Sequence, residues 1–341
     1  MKFTLVESHM LTDKIRMFLL KPTLDSDILT GAVPGKYFNF QFIGRDKRLK
    51  QRSYTLVSQD INNHYKFIIE NRGCDSESST IWKLLLDNVG ISVCGVGGEI
   101  TFDTIKNSRN VLLLSGGIGI TLPISLIYEC AKYYSHIMSD KNIQLVISYP
   151  SLRDIPYLNE FIGFHFKYKW FTLRINITHS KLRKTSDIIN MGRIDLATEK
   201  INGIPDTVVI CGSKMFTESM VAGVRYSFPQ ASIFTEVFGS TQVQLTNSEE
   251  LNKDKSIVRV KDFDTPLLID NNRTVLDNLL QHNIPIRYIC YSGICGSCKY
   301  RLIRGSVLNH PEFCLTEKEK DENIHLACCS FPKTDIDIEI V

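Results

Sequence analysis

Along its first hundred residues the chain alternates apolar and polar positions in short runs, at 3–6, 15–20, 37–43, 53–57, 65–70 and 91–93, punctuated by Pro34-Gly35, Asn62-Asn63 and Gly97-Gly98. Strand side chains point alternately to opposite faces, so runs of this length and spacing predict a small antiparallel β-barrel. One helix interrupts it over 80–87, with the hydroxyls of Ser78, Ser79 and Thr80 at its start to cap it. After residues 107–110 the texture changes. A continuous apolar strand over 111–115 runs into a glycine turn and a helix over 121–134; strands over 144–149, 171–177, 207–211 and 232–237 follow, with a helix over 215–226. Strands alternating with helices predict a parallel sheet with helical crossovers. Residues 239–255 are polar and without periodicity, which reads as a linker. Beyond it come a hairpin over 256–262 and 266–269, a helix over 275–282 capped by Thr274, and strands over 299–303 and 335–341. The charge run 317–322 reads as a solvated loop. The chain thus divides into 1–105, 106–240, a linker at 241–254, and 255–341.

A length of 341 residues suits two or three domains, and 43% apolar with 23% charged residues is ordinary for a globular chain. The net charge is +3, and no basic block interleaved with aromatics argues for nucleic acid. The start, MKFTLVESHM, has no sustained apolar core and is not a signal peptide. Residues 111–128 are uncharged for 18 positions, but Gly116, Gly117, Gly119 and Pro123 break the run, so strand, turn and helix explain it better than a membrane span. Among ten cysteines, Cys74, Cys94, Cys130, Cys211, Cys314 and Cys329 show no disulfide framework spacing. Reduced thiols and a cytoplasmic location are expected. None of the eight histidines forms a metal-ligand pattern.

The most specific chemistry lies at Cys290-Tyr-Ser-Gly-Ile-Cys295-Gly-Ser-Cys298, followed at a distance by Cys328. C-x4-C-x2-C and one remote Cys is the spacing of a plant-type [2Fe–2S] site. Gly293 and Gly296 suit a loop that wraps a cluster with positive φ angles. Four thiolates also serve zinc, but zinc ligands usually come as two C-x2-C-like pairs. Elsewhere, Arg52-Ser53-Tyr54-Thr55 puts Arg52 and Tyr54 on one strand face, where Arg suits a phosphate and Tyr a flat ring. Gly95-Val-Gly-Gly98 reads either as a close-approach segment or as a hairpin turn. Gly116-Gly117-Ile118-Gly119 and Cys211-Gly212 fall at carboxyl ends of parallel strands, where such sheets bind ligands, and the turn offers backbone N–H groups and a helix start to a pyrophosphate.

With these motifs the chain resembles the ferredoxin–NADP reductase superfamily, in the branch fused to a plant-type ferredoxin domain, which includes reductases serving oxygenases and hybrid-cluster proteins. The resemblance implies an antiparallel barrel that binds flavin, an α/β domain that binds nicotinamide, and an α+β, β-grasp-like ferredoxin domain. It assigns Arg52 to the flavin phosphate, Tyr54 to the isoalloxazine face, Thr55 to its N5 edge, and Ser53 to the same motif; Ser79 and Thr80 match the helix start that also meets flavin phosphate. Val96 and Ile100 stand where the family has Pro and Phe, which leaves FAD and FMN open, with FAD preferred. Gly116, Gly117, Gly119 and Thr121 match the dinucleotide loop, with Leu122 inserted before Pro123. Cys211 and Gly212 match the pair beside the nicotinamide, and Glu236 and Phe238 the segment that closes near the flavin. Pro150 stands where NADPH-using relatives tend to carry Arg, so NADH is expected, with Arg153 keeping NADPH open. The Leu326-Ala327-Cys328 context selects Cys328 over Cys329 to join Cys290, Cys295 and Cys298 as cluster ligands. The implied activity is electron transfer from NADH through flavin and cluster to a protein acceptor, an oxygenase or hybrid-cluster-type protein, by a monomer. A redox-sensing subunit without turnover and a self-contained small-molecule reductase are the rival readings.

Overall fold

Strands β1 (Lys2–Met10), β2 (Ile15–Pro22), β3 (Tyr37–Ile43), β4 (Leu49–Thr55), β5 (Ser58–Gln59), β6 (Tyr65–Glu70) and β7 (Ile91–Gly97) form one antiparallel sheet in the order β4-β3-β7-β1-β2-β6-β5. β4 also touches β6, which rolls the sheet into a barrel. This structure, a computed structural model, describes residues 1–341 apart from 24–30, 46, 48, 135–139, 180–185, 239–254, 264, 272, 289–292, 294–295, 310–311 and 313–314. Phe3, Phe38, Phe40 and Phe67 fill the barrel's core edge to face, as alternating apolar positions require. Helix α1 (Glu77–Leu86) closes it with Ile81, Trp82 and Leu85. The helix starts earlier than the sequence suggests: Ser76 is its N-cap, accepting from the Ser79 amide at 3.1 Å, and Ser79 and Thr80 lie in the first turns. Gly95 and Gly97 belong to β7 and pair with Asn39 and Tyr37, so the glycine segment is a strand edge rather than a hairpin turn. A Cβ on Gly97 would sit 2.7 Å from the Tyr37 hydroxyl.

After the short helix α2 (Phe102–Ile105), strands β8 (Asn110–Gly116), β9 (Asn142–Tyr149), β10 (Phe171–Ile177), β11 (Ile189–Met191), β12 (Thr207–Gly212) and β13 (Ser232–Val237) form a parallel sheet in the order β11-β10-β9-β8-β12-β13. The order reverses between β8 and β12, which opens a crevice at their carboxyl ends. β8 is buried on both faces, and its period of two sorts the layers. Val111 and Leu113 face the core shared with α3 (Thr121–Tyr134) and α4 (Leu158–Lys167), whereas Leu112 and Leu114 face the core shared with α5 (Lys214–Ser227). Helix α4 is absent from the sequence reading although Leu158, Phe161 and Ile162 carry its apolar stripe. Near β11 the sheet is covered by irregular chain: Glu199, almost fully buried, accepts from Arg174 Nε and Asn176 Nδ2, both at 2.9 Å.

Strands β14 (Lys255–Val260), β15 (Leu267–Asp270), β16 (Lys299–Arg304), β17 (Val307–Asn309), β18 (Ile324–Leu326), β19 (Ser330–Pro332) and β20 (Ile336–Ile340) build a mixed five-stranded sheet, β15-β14-β20-β16-β18, and a β17-β19 ribbon. Helix α6 (Val275–Gln281), capped by Thr274, packs Val275, Leu276 and Leu279 into their core. The charge run expected as a loop is instead helix α7 (Glu317–Asp321), because Thr316 and Glu319 form a capping box that satisfies its first turn. Two compact units result, Met1–Phe238 and Gly239–Val341. The segment read as a linker, 241–254, lies outside the described residues.

Candidate functional site

The β4 tetrapeptide lies along the barrel with its faces divided as the strand period demands. Arg52 and Tyr54 share the side of α1, where the Tyr54 ring packs 5.2 Å from Phe40. Burial pushes the Tyr54 phenol up, and burial also lowers Arg52, with Tyr54 opposing that. Arg52 Nη1 donates to the Gln51 carbonyl at 2.7 Å, and Nη2 forms an ion pair with Glu77, the first residue of α1. Lys50 Nζ lies 3.8 Å from the same carboxylate. Ser79 and Thr80 are half-buried in the turn that follows. On the opposite face Ser53 Oγ donates to Asn39 Oδ1 at 2.7 Å, leaving the buried Asn39 Nδ2 without a hydrogen-bond partner. A basic pair at a helix start, with an orphaned buried donor on the same strands, fits a group that is part phosphate and part ring.

Thr55 ends β4 and reaches the parallel sheet. Its hydroxyl donates to Glu236 Oε1 at 3.4 Å and accepts from Thr121 Oγ1 at 3.3 Å, all three side chains being buried. Glu236 on β13 is the register partner of Cys211 on β12, and Cys211 in turn of Ser115 on β8. Burial pushes the Glu236 carboxyl up to about 8, the Thr55 bond opposing it, so the group is protonated at neutral pH. Burial, then the neighbouring Glu236, pushes the Cys211 thiol well above its ordinary value. The spot is therefore uncharged, buried and adjacent to the crevice.

The glycine turn is shaped by contacts that only glycine allows. A Cβ on Gly119 would sit 2.2 Å from the Cys211 carbonyl oxygen, so turn and β12 touch backbone to backbone. Gly117 has φ +57° and nothing within 4 Å of where its Cβ would stand, an open cradle at the strand end. Tyr149 Oη donates to the Gly117 carbonyl at 2.6 Å and holds the turn from β9. The Phe216 ring in α5 lies against both Gly116 and Gly212. Ser115 Oγ and Thr217 Oγ1 are buried there without hydrogen-bond partners, which fits a polar ligand entering the crevice. Glu77, Tyr149 and Phe216 escape a sequence reading. Tyr149 sits at the end of an expected strand beside the glycine turn, a signal that was present; nothing in the chain order announces Glu77 beside Arg52 or the Phe216 ring across two glycines.

Pro150 follows β9 without a side-chain donor, and Arg153 is exposed in the turn beyond it. In the second unit, Cys290 and Cys295 lie outside the described residues, whereas Cys298 and Cys328 are buried. Pairing of β16 with β18 brings these two together, and the Ala327 amide donates to the Cys298 carbonyl at 2.9 Å. Cys329 Sγ lies 3.7 Å from Cys328 Sγ. Gly293 and Gly296 both take positive φ, 75° and 68°, the conformation a cluster loop requires. Soft thiol donors on such a loop fit an iron–sulfur cluster. Among the described residues no three His, Cys, Asp or Glu side chains are grouped to hold a metal ion, two of the four cysteines being outside them. Among the described residues no helix is long and apolar enough to cross a membrane.

Residues 260–333 match the 2Fe-2S iron-sulfur cluster binding domain family. The CDP-6-deoxy-L-threo-D-glycero-4-hexulose-3-dehydrase reductase of Yersinia pestis is 42% identical over 71 residues, 21% of this chain and 22% of that protein. The match therefore spans about a fifth of that relative's length. The glycine betaine monooxygenase reductase subunit of Chromohalobacter salexigens is 23% identical over 335 residues, 92% of this chain and 89% of the relative. The solved structure of phthalate dioxygenase reductase, a protein of electron transfer from pyridine nucleotides to [2Fe–2S], has the same fold, with a TM-score of 0.63 at 20% identity over 100% of this chain and 97% of its own. The chain thus shares the fold of phthalate dioxygenase reductase from end to end and carries, over residues 260–333 of its second unit, a 2Fe-2S iron-sulfur cluster binding domain.

Proposed function

We propose that the chain is an NADH-dependent reductase that passes electrons through FAD and a [2Fe–2S] cluster to a protein acceptor, an oxygenase component or a hybrid-cluster-type protein. The observation that carries this reading is the meeting of Thr55 with Glu236, 181 residues apart, at the carboxyl edge of the parallel sheet, beside Cys211 and the glycine turn. When bound, nicotinamide, flavin and cluster would supply the two-electron and one-electron redox chemistry. The chain supplies binding and orientation. Arg52, Ser53 and Tyr54, with Ser79 and Thr80, hold the flavin; Gly116, Gly117, Gly119 and Thr121 receive the dinucleotide; Cys211 and Gly212 flank its nicotinamide. Glu236 keeps its proton on a buried carboxyl, and Thr55 Oγ1 orients that carboxyl by donating to Oε1. A neutral acid there lets flavin and nicotinamide approach without opposing a buried charge. Cys290, Cys295, Cys298 and Cys328 hold the cluster. Domains at 1–105, 106–240 and 255–341 joined through 241–254, a monomeric state and a cytoplasmic, reducing location complete the proposal, the last because Cys74, Cys94 and Cys130 are free thiols. The carrier is NADH rather than NADPH, since Pro150 offers no cation to a 2′-phosphate.

One variant tests the order of transfer. Cys295→Ser replaces a soft sulfur ligand with an oxygen and removes or alters the cluster while the first unit keeps its flavin. NADH-driven ferricyanide reduction, fed from flavin, is expected to survive, and cytochrome c reduction to fall at least about tenfold, equivalent to roughly 1.4 kcal/mol. Loss of both activities with flavin still bound, or survival of both, refutes the sequence flavin then cluster, and a higher kcat/KM for NADPH refutes the choice of carrier.

A further inference from the structure

Glu77 stands where a flavin phosphate is expected. It is the first residue of the ten-residue helix α1, and its carboxylate folds back onto β4 to pair with Arg52 and approach Lys50 Nζ at 3.8 Å. The three side chains are 29%, 29% and 25% exposed for Lys50, Arg52 and Glu77, so solvent screens them only in part. Glu77 thus sets a negative charge beside the cations that would meet a phosphate, and its repulsion grows with the charge of the group that enters: one for each phosphodiester, close to two at neutral pH for a phosphomonoester, whose second ionisation lies near pH ~6.

We propose that Glu77 sets the flavin preference of this site, admitting the diphosphate of FAD and discriminating against the monoester of FMN. The proposal rests on the reading of Arg52 as the flavin-phosphate ligand. FMN must bring nearly two charges into a cluster whose own carboxylate already takes up one cation. FAD brings one charge per phosphate and spreads the pair over two positions. Riboflavin carries no phosphate and is indifferent to Glu77.

The test uses the full-length chain with its cluster, depleted of flavin and titrated with FAD, FMN and riboflavin while flavin fluorescence is followed. Glu77→Gln keeps the shape of the side chain and removes its charge. It is expected to tighten FMN about tenfold and FAD no more than about threefold, with riboflavin unchanged. Arg52→Ala is measured beside it and is expected to weaken FAD and FMN by at least about tenfold while sparing riboflavin. Equal gains for FAD and FMN in Glu77→Gln, no gain for FMN, or a matching gain for riboflavin would overturn the proposal even where Arg52→Ala behaves as expected. An Arg52→Ala protein that binds FAD and FMN like the wild type would overturn the phosphate assignment itself, and the role of Glu77 with it.

Discussion

Replacing Glu236 by glutamine should remove a pH dependence that the fold builds into the first unit. The side chain is 5% exposed, and burial raises its folded pKa from 4.5 to about 8. Between those values the native state binds a proton that the unfolded chain has lost, so stability must fall as pH rises through the window. The full shift corresponds to an upper limit of about 5 kcal/mol, of which about 2.5 kcal/mol should disappear between about pH 5.5 and about pH 7.5. The amide introduced by Glu236→Gln does not titrate, keeps an oxygen for Thr55, and should leave the curve flat by comparison. Both tryptophans, Trp82 and Trp170, lie in the first unit, so their fluorescence reports its unfolding without interference from the second. Urea melts of wild type and Glu236→Gln, at one fixed flavin concentration, give the two free energies at each pH. The wild-type midpoint should fall by about 1 M urea relative to the variant across the range, taking m-values of roughly 2 kcal/mol/M. A difference between the proteins that stays constant with pH would show that Glu236 ionises in the native state like an exposed carboxyl. The argument from burial, and with it the neutral acid beside Cys211, would then be wrong.

Gly119→Ala should lower stability by at least about 2 kcal/mol, because the new methyl meets backbone atoms of Cys211 and Gly212 that have no rotamer with which to yield; thermal unfolding of the full chain measures it, and an unchanged melting temperature would contradict the contact. Tyr149→Phe removes the hydroxyl that holds the Gly117 carbonyl, a loss of about 1 kcal/mol. Steady-state kinetics should show KM for NADH raised about fivefold with kcat retained if that turn receives the dinucleotide, and an unaltered KM would place the nucleotide elsewhere.

The local chemistry of this chain was legible in its order. The short apolar run Val111 to Leu114, ended by a glycine turn, suited a strand buried on both faces, and the spacing of Cys290, Cys295 and Cys298 pointed to the cluster, because each signal depends on neighbours a few bonds away. Short-range capping was legible only in part: Ser76 rather than Ser78 to Thr80 starts α1, where several hydroxyls stand close enough in the chain to compete for one amide, and Thr316 with Glu319 forms the capping box that makes α7 of an apparent loop. What the sequence could not decide was adjacency between distant segments. Thr55 meets Glu236 because β4 ends against the carboxyl edge of the parallel sheet, and Cys298 meets Ala327 because β16 pairs with β18. Burial followed from those meetings, and burial is what makes Glu236 a neutral acid. The ion pair of Glu77 with Arg52 is of the same kind, for the two belong to different elements and only the packing of α1 on the barrel brings the carboxylate onto the arginine that we propose as a phosphate ligand. Periodicity and spacing act along the chain, whereas pKa values, ion pairs and orphaned donors depend on what surrounds a group in three dimensions.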